Sequence, residues 1–160
     1  NLSGARLSNA DLSQSELTGA DLSNAELYNT QLMGANLSEA NLAGADLQKA
    51  QLTNTNLHRA NLTSAWLASA QLQDANLSQA NLFKSTLNSA NLQDADLSQA
   101  NLMEASLIEA NLQDVDLQDA DLNKAILFKA SVSKTALIEA QLCLTSLPDY
   151  TMHSRDCDRT

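Results

Sequence analysis

"NLQDADLSQANLMEASLIEA", residues 91–110, is four pentapeptides in succession, each with leucine second and alanine fifth. Counting outward in fives from this stretch, thirty sites run from 2 to 147, and twenty-nine are leucine; the exception is Val132. The fifth positions, 5 to 150, are alanine at twenty-two of thirty sites. The others are Ser15, Thr30, Thr55, Ser85, Val115, Thr135, Thr145 and Tyr150. A period of five suits neither regular element. On an α-helix five residues advance about 500°, which spreads the leucines over every face. On a strand an odd spacing alternates them between two faces. Leu and Ala favour helix by propensity, but the pattern outranks it. The chain must turn once per unit, so that every leucine points the same way, inward.

The residues around each leucine fit such a turn. Sixteen of the thirty sites just before it are Asn or Asp, including Asn36, Asn41, Asn56 and Asn61. These side chains bond nearby backbone and tolerate turn conformations. All four glycines (Gly4, Gly19, Gly34, Gly44) stand second after a leucine, where a turn relaxes the usual backbone limits. A fixed short period implies a stacked solenoid whose neighbouring coils bury one another's apolar faces.

The units "ADLSN" (20–24), "ANLSE" (35–39), "ANLAG" (40–44), "ADLQK" (45–49) and "ANLTS" (60–64) resemble the A(D/N)LXX motif of the pentapeptide-repeat proteins. The resemblance covers residues 1 to about 150. It implies an all-β fold: a right-handed quadrilateral parallel β-helix (a β-solenoid), with four pentapeptides per coil and about seven and a half coils. The central leucine and the preceding alanine lie inside it. Alanine suits a shaft too narrow for anything larger.

Composition agrees with many similar thin layers: the chain is 44% hydrophobic but only 3% aromatic. Its net charge of −10 disfavours direct nucleic-acid binding, which needs clustered Lys and Arg. A basic surface on another protein is the compatible partner. No run approaches the roughly 18 apolar residues that span a bilayer. Residue 1 is Asn and no signal-peptide pattern remains, so the chain reads as a processed or truncated form.

The repeat body is expected over 1–147 and an irregular capping tail, "PDYTMHSRDCDRT", over 148–160. Cys143 and Cys157 are candidates for a disulfide pinning that tail. A bridge would favour a periplasm or thylakoid lumen; two free thiols would fit a reducing cytoplasm. The N-terminal coil shows no cap. Either a preceding segment is missing or that coil stacks end to end on another molecule.

Surface columns follow from the 20-residue coil. One corner runs Asp74, Asp94, Asp114, then Lys134, and two residues on stand Asp96 and Asp116. The five aspartates form a candidate acidic interaction corner. Its alternatives are a solvated face that keeps the rod soluble and a weak site for a hard cation. Another wall carries Trp66, Ile108, Ile126 and Phe128, a candidate apolar patch for docking or for cover by the tail. His58 and His153 are isolated from Cys or His at ligand spacing, and a rod offers no concave site for catalysis. No catalytic residue, cofactor or metal ligand is expected.

The reading is therefore a non-catalytic structural or protein-interaction rod, similar to cyanobacterial and plant-lumen members of the family. Two alternatives accompany it. One is an acidic DNA mimic acting on a type II topoisomerase such as gyrase, as the resemblance to fluoroquinolone-resistance members implies. The other is a regulator that binds a signalling or transcription protein.

Overall fold

A computed structural model of the chain describes residues 1–154, 156 and 157. Its backbone returns to register every twenty residues. Parallel single-residue bridges pair Arg6 with Glu26, Glu26 with Asp46, Asp46 with Trp66, and so on to Ile126 with Ser146. Within each coil a tight turn closes every five residues: the Ala5 N–H donates to the Leu2 carbonyl at 3.0 Å, the Ala10 N–H to Leu7 at 3.0 Å, the Ser15 N–H to Leu12 at 3.2 Å and the Ala20 N–H to Leu17 at 3.0 Å. The chain is thus a β-solenoid with four turns per coil.

Each turn is built the same way. Its third residue sits at positive φ, as Gly4 (66°), Asn24 (55°) and Lys49 (58°) show, the requirement of a type II turn. Where the residue before the leucine is Asn or Asp it closes the turn from outside, an Asx turn: Asn61 Oδ1 accepts the Thr63 N–H at 3.2 Å and Asp96 Oδ1 the Ser98 N–H at 2.8 Å. A chain that turns every five residues leaves room for a single bridge per wall. The only extended pairs among the described residues are therefore two residues long: β1 (Asn111–Leu112) parallel to β2 (Ser131–Val132), and β3 (Thr145–Ser146) antiparallel to β4 (Met152–His153).

The leucines from Leu22 to Leu127 stack in the shaft at 1% exposure or less. Burying each contributes on the order of 2 kcal/mol. Leu2, Leu7, Leu12 and Leu17 are only partly buried, because the first coil is covered on one side alone. Thr30, Thr55, Ser85 and Thr145 replace alanine inside and are fully buried. Among the described residues no buried side-chain nitrogen or oxygen lacks a partner.

The repeat breaks once. Where the pattern predicts another turn, residues Lys134–Glu139 form a six-residue helix, α1, capped by Ser133, whose Oγ accepts the Ala136 N–H at 3.1 Å. The two sites preceding the leucine-type positions here are Ser131 and Ala136. Neither is Asn or Asp, as is also true of turns such as those after Trp66 and Ile126; here the Ser133 hydroxyl caps a helix instead. Thr135, expected inside, is exposed, and Ala136 is buried instead. The pairing shifts by one residue only locally: the Asp119 N–H bonds the Glu139 carbonyl, twenty residues on, whereas those of Gln99 and Leu122 bond Gln118 and Gln141, nineteen on.

Candidate functional site: an acidic corner, an apolar wall and a pinned tail

Asp74, Asp94 and Asp114 are third residues of three stacked turns, with φ of 57°, 58° and 55°. That conformation points each side chain away from the shaft, and all three are exposed. Successive coils repeat at about 4.8 Å. Asp96 and Asp116, bridged to each other, stand beside the column. Both also serve the fold, since each Oδ1 accepts a backbone N–H, from Ser98 and Gln118, at 2.8 Å. The sequence reading ends this column with Lys134; the structure places Lys134 in α1 instead. The break leaves an open hollow of about 340 Å³ beside Asp114, lined by Gln113, Ser131 and Ser133.

The cations of these coils lie elsewhere. Lys84 and Lys124 flank Glu104 at 3.5 and 3.6 Å, and Lys129 meets Glu109 at 3.2 Å. Lys84, Glu104 and Lys124 stand ten residues, half a coil, from the Asp74 column, at the opposite corner. Among the described residues none of the five aspartates is ion-paired.

The apolar wall is divided. Trp66 is 59% exposed and its ladder neighbours are Asp46 and Thr86. Ile126, 42% exposed, stands three coils further on, beside half-buried Ile108 and Phe128. The Phe128 ring is covered from the tail by Tyr150, with centroids 4.1 Å apart, and from the side by Lys129 Nζ at 5.2 Å. An apolar groove of about 260 Å³ between α1 and the β3–β4 hairpin is lined by Leu137, Ile138, Leu142 and Leu147. It is smaller than most small-ligand sites, which start near ~300 Å³.

Cys143 and Cys157 form a disulfide, with Cα atoms 4.7 Å apart. Beside it lies Asp156, which the sequence reading did not single out. Its side chain is buried and Oδ2 accepts the Leu142 N–H at 3.0 Å. One Asp in an irregular tail carries no periodic signal, so only the folded tail shows its role.

His58 Nδ1 lies 2.9 Å from Ser78 Oγ, a rung within the wall. Among the described residues no three His, Cys, Asp or Glu gather to hold a metal ion, and no helix is long and apolar enough to cross a membrane. Three carboxylates, exposed Asp11 and Asp149 and half-buried Asp21, are held below the usual range. For Asp11 the cause is first the Ser13 N–H and then its hydroxyl; for Asp21 and Asp149 the Ser23 and Thr151 hydroxyls lead, followed by their N–H groups.

The family model for pentapeptide repeats matches residues 1–38, 35–70, 65–102 and 105–142. Among solved structures, the chain is similar to the pentapeptide repeat protein Rfr23 from the cyanobacterium Cyanothece 51142, at 37% identity and a TM-score of 0.54. That match covers 61% of this chain and 63% of the other, so the chain spans under two thirds of that protein's length. It is similar to HetL, involved in heterocyst differentiation regulation in Nostoc sp. strain PCC 7120, at 31% identity over 92% of this chain and 81% of that one, with a TM-score of 0.42. QnrB1, a plasmid-mediated fluoroquinolone resistance protein, shares the fold at 19% identity and a TM-score of 0.63, over 89% of this chain and 79% of its own. No curated protein matches the sequence. With a turn every five residues, a twenty-residue register and a family model matching along most of its length, the chain belongs to the pentapeptide-repeat family.

Proposed function

We propose that the protein is a non-catalytic interaction rod that docks a basic surface of another protein along Asp74, Asp94, Asp96, Asp114 and Asp116. The observation that carries this reading is the segregation of charge. Among the described residues the carboxylates stack on one corner without an ion pair, while Lys84, Lys124 and Lys129 are engaged by Glu104 and Glu109 elsewhere. Unit charges one layer apart repel by about 1 kcal/mol even in water, and a cationic partner relieves that repulsion. In this reading residues 1–147 are the body, wound right-handed in about seven and a half coils, and 148–160 close its end. Trp66 and the Ile108–Ile126–Phe128 group form a secondary contact on another wall. The disulfide supports an oxidising compartment such as a periplasm or thylakoid lumen.

The test is affinity capture from the native source with the wild-type chain and with Asp94, Asp96, Asp114 and Asp116 changed to Asn. A basic partner retained by the first and lost, at least about tenfold, by the second is the expected result. Equal capture by both removes the corner from the interaction. The same surface admits DNA mimicry, since carboxylates every ~4.8 Å approach the phosphate spacing of ~3.4 Å per strand. Gyrase supercoiling in the presence of micromolar protein separates the cases: an unchanged rate assigns the corner to a partner other than gyrase.

A further inference from the structure

The leucine amides of one wall follow a single rule. The Leu82 N–H bonds the Asn101 carbonyl, that of Leu102 bonds Asp121, and that of Leu122 bonds Gln141. At Leu142, a core residue 1% exposed, the acceptor changes. The carboxylate of Asp156 takes the position of a next-coil carbonyl, at 3.0 Å, and the Asp156 N–H returns to the Leu142 carbonyl at 3.2 Å. The residue after Asp156 is Cys157, bonded to Cys143, the residue after Leu142. A two-residue segment imitating a further coil is therefore clipped to the last one by a covalent bond. Both cysteines are half-buried rather than enclosed, within reach of a small dithiol.

We propose that Cys143–Cys157 is a reversible redox site that controls whether the C-terminal edge of the solenoid is closed. A dithiol reductant supplies the chemistry. Its thiolate attacks one sulfur of the bridge, forming a mixed disulfide and releasing the other as a thiolate, which takes up a proton. The second thiol of the reductant then attacks the mixed disulfide, leaving two protein thiols and an oxidised reductant. Without the bridge the segment after β4 is no longer tied to Cys143, and water competes with the Asp156 carboxylate for the Leu142 amide. The coil then presents an open pairing edge.

Neighbouring amides separate this edge-specific effect from general loosening. Leu142 and Leu147 donate to tail groups, Asp156 Oδ2 and the Thr151 carbonyl. Gln141, Cys143 and Ser146 donate instead to the previous coil, to the Ala120 carbonyl, Asn123 Oδ1 and the Ala125 carbonyl. Amide exchange of the full ¹⁵N-labelled chain is followed by NMR, oxidised and after dithiothreitol. Leu142 and Leu147 exchange faster by at least about tenfold on reduction, while the other three change less than about twofold. Asp156→Ala, with the bridge intact, accelerates Leu142 in the same way. Unchanged Leu142 protection on reduction, equal acceleration of all five amides, or full Leu142 protection in Asp156→Ala each overturns the proposal.

Discussion

The buried hydroxyls show how one residue adapts to a shaft built for alanine. Thr30, Thr55 and Thr145 donate to the carbonyls of Leu7, Leu32 and Leu122, twenty-three residues back in the preceding coil. Ser15 and Ser85 donate within their own turns, to Leu12 and Leu82. Either way the polar group enters the core satisfied. Thr55→Val keeps the shape and removes the donor. The Leu32 carbonyl still accepts the Ala35 N–H, so the expected loss is about 1 kcal/mol in chemical denaturation. A loss above about 3 kcal/mol, typical of an orphaned buried group, would contradict this account. The third turn residue obeys a different constraint. Its left-handed backbone admits Asn, Asp, Lys, Glu, Gln and Ser as well as glycine. Among the described residues none at positive φ is Val, Ile or Thr, whose branched β-carbons fit this region worst.

At the scale of the element, the walls are held by ladders of amides rather than by long strands. Asn41 Nδ2 donates to Asp21, Asn61 to Asn41 and Asn101 to Asn81, at 3.3, 3.0 and 3.0 Å. Each such Oδ1 also closes its own turn, as that of Asn101 does for the Met103 N–H at 3.1 Å. Asn101 therefore does two separable jobs. Asn101→Asp keeps the turn acceptor and loses the rung; Asn101→Ala loses both. The expected order of midpoint temperatures is wild type above Asn101→Asp above Asn101→Ala, with the alanine variant about 1–2 kcal/mol less stable. An aspartate variant as unstable as the alanine one would show that the rung, not the turn, dominates. Helix α1 is the converse case. Ser131 and Ala136 supply neither a rung nor an Asx acceptor, and the Ser133 hydroxyl caps a helix there.

Over the whole molecule the carboxylates also act on stability. Asp11, Asp21 and Asp149 ionise more readily when folded than when unfolded, because hydroxyl and amide donors of Ser13, Ser23 and Thr151 stabilise the charged form. A group with a lowered folded pKa binds fewer protons in the native state. The stability it contributes is present above the ordinary carboxylate range and is lost as pH falls through the folded values. Denaturation midpoints are accordingly expected to drop on acidification below the usual Asp range, and Asp21→Asn to flatten that slope. An identical slope in the variant would remove Asp21 from the effect.

The five-residue period alone determined that the chain turns once per unit, that its leucines share one interior and that its coils stack. Periodicity is a global constraint, and a single slip would have exposed a whole row of apolar side chains. The glycines pointed to the turn position for the same reason, since backbone limits act locally on residue type. What only the tertiary structure decided lies where the pattern thins out. That SKTALIE coils into a helix rather than turning is not marked by the period, since Leu137 keeps the five-residue spacing. The burial of Asp156 beneath the last coil, and the Tyr150 ring over Phe128, join residues whose separation follows no repeat. Such contacts are set by where the tail lands on the finished rod, which no local rule in the sequence encodes.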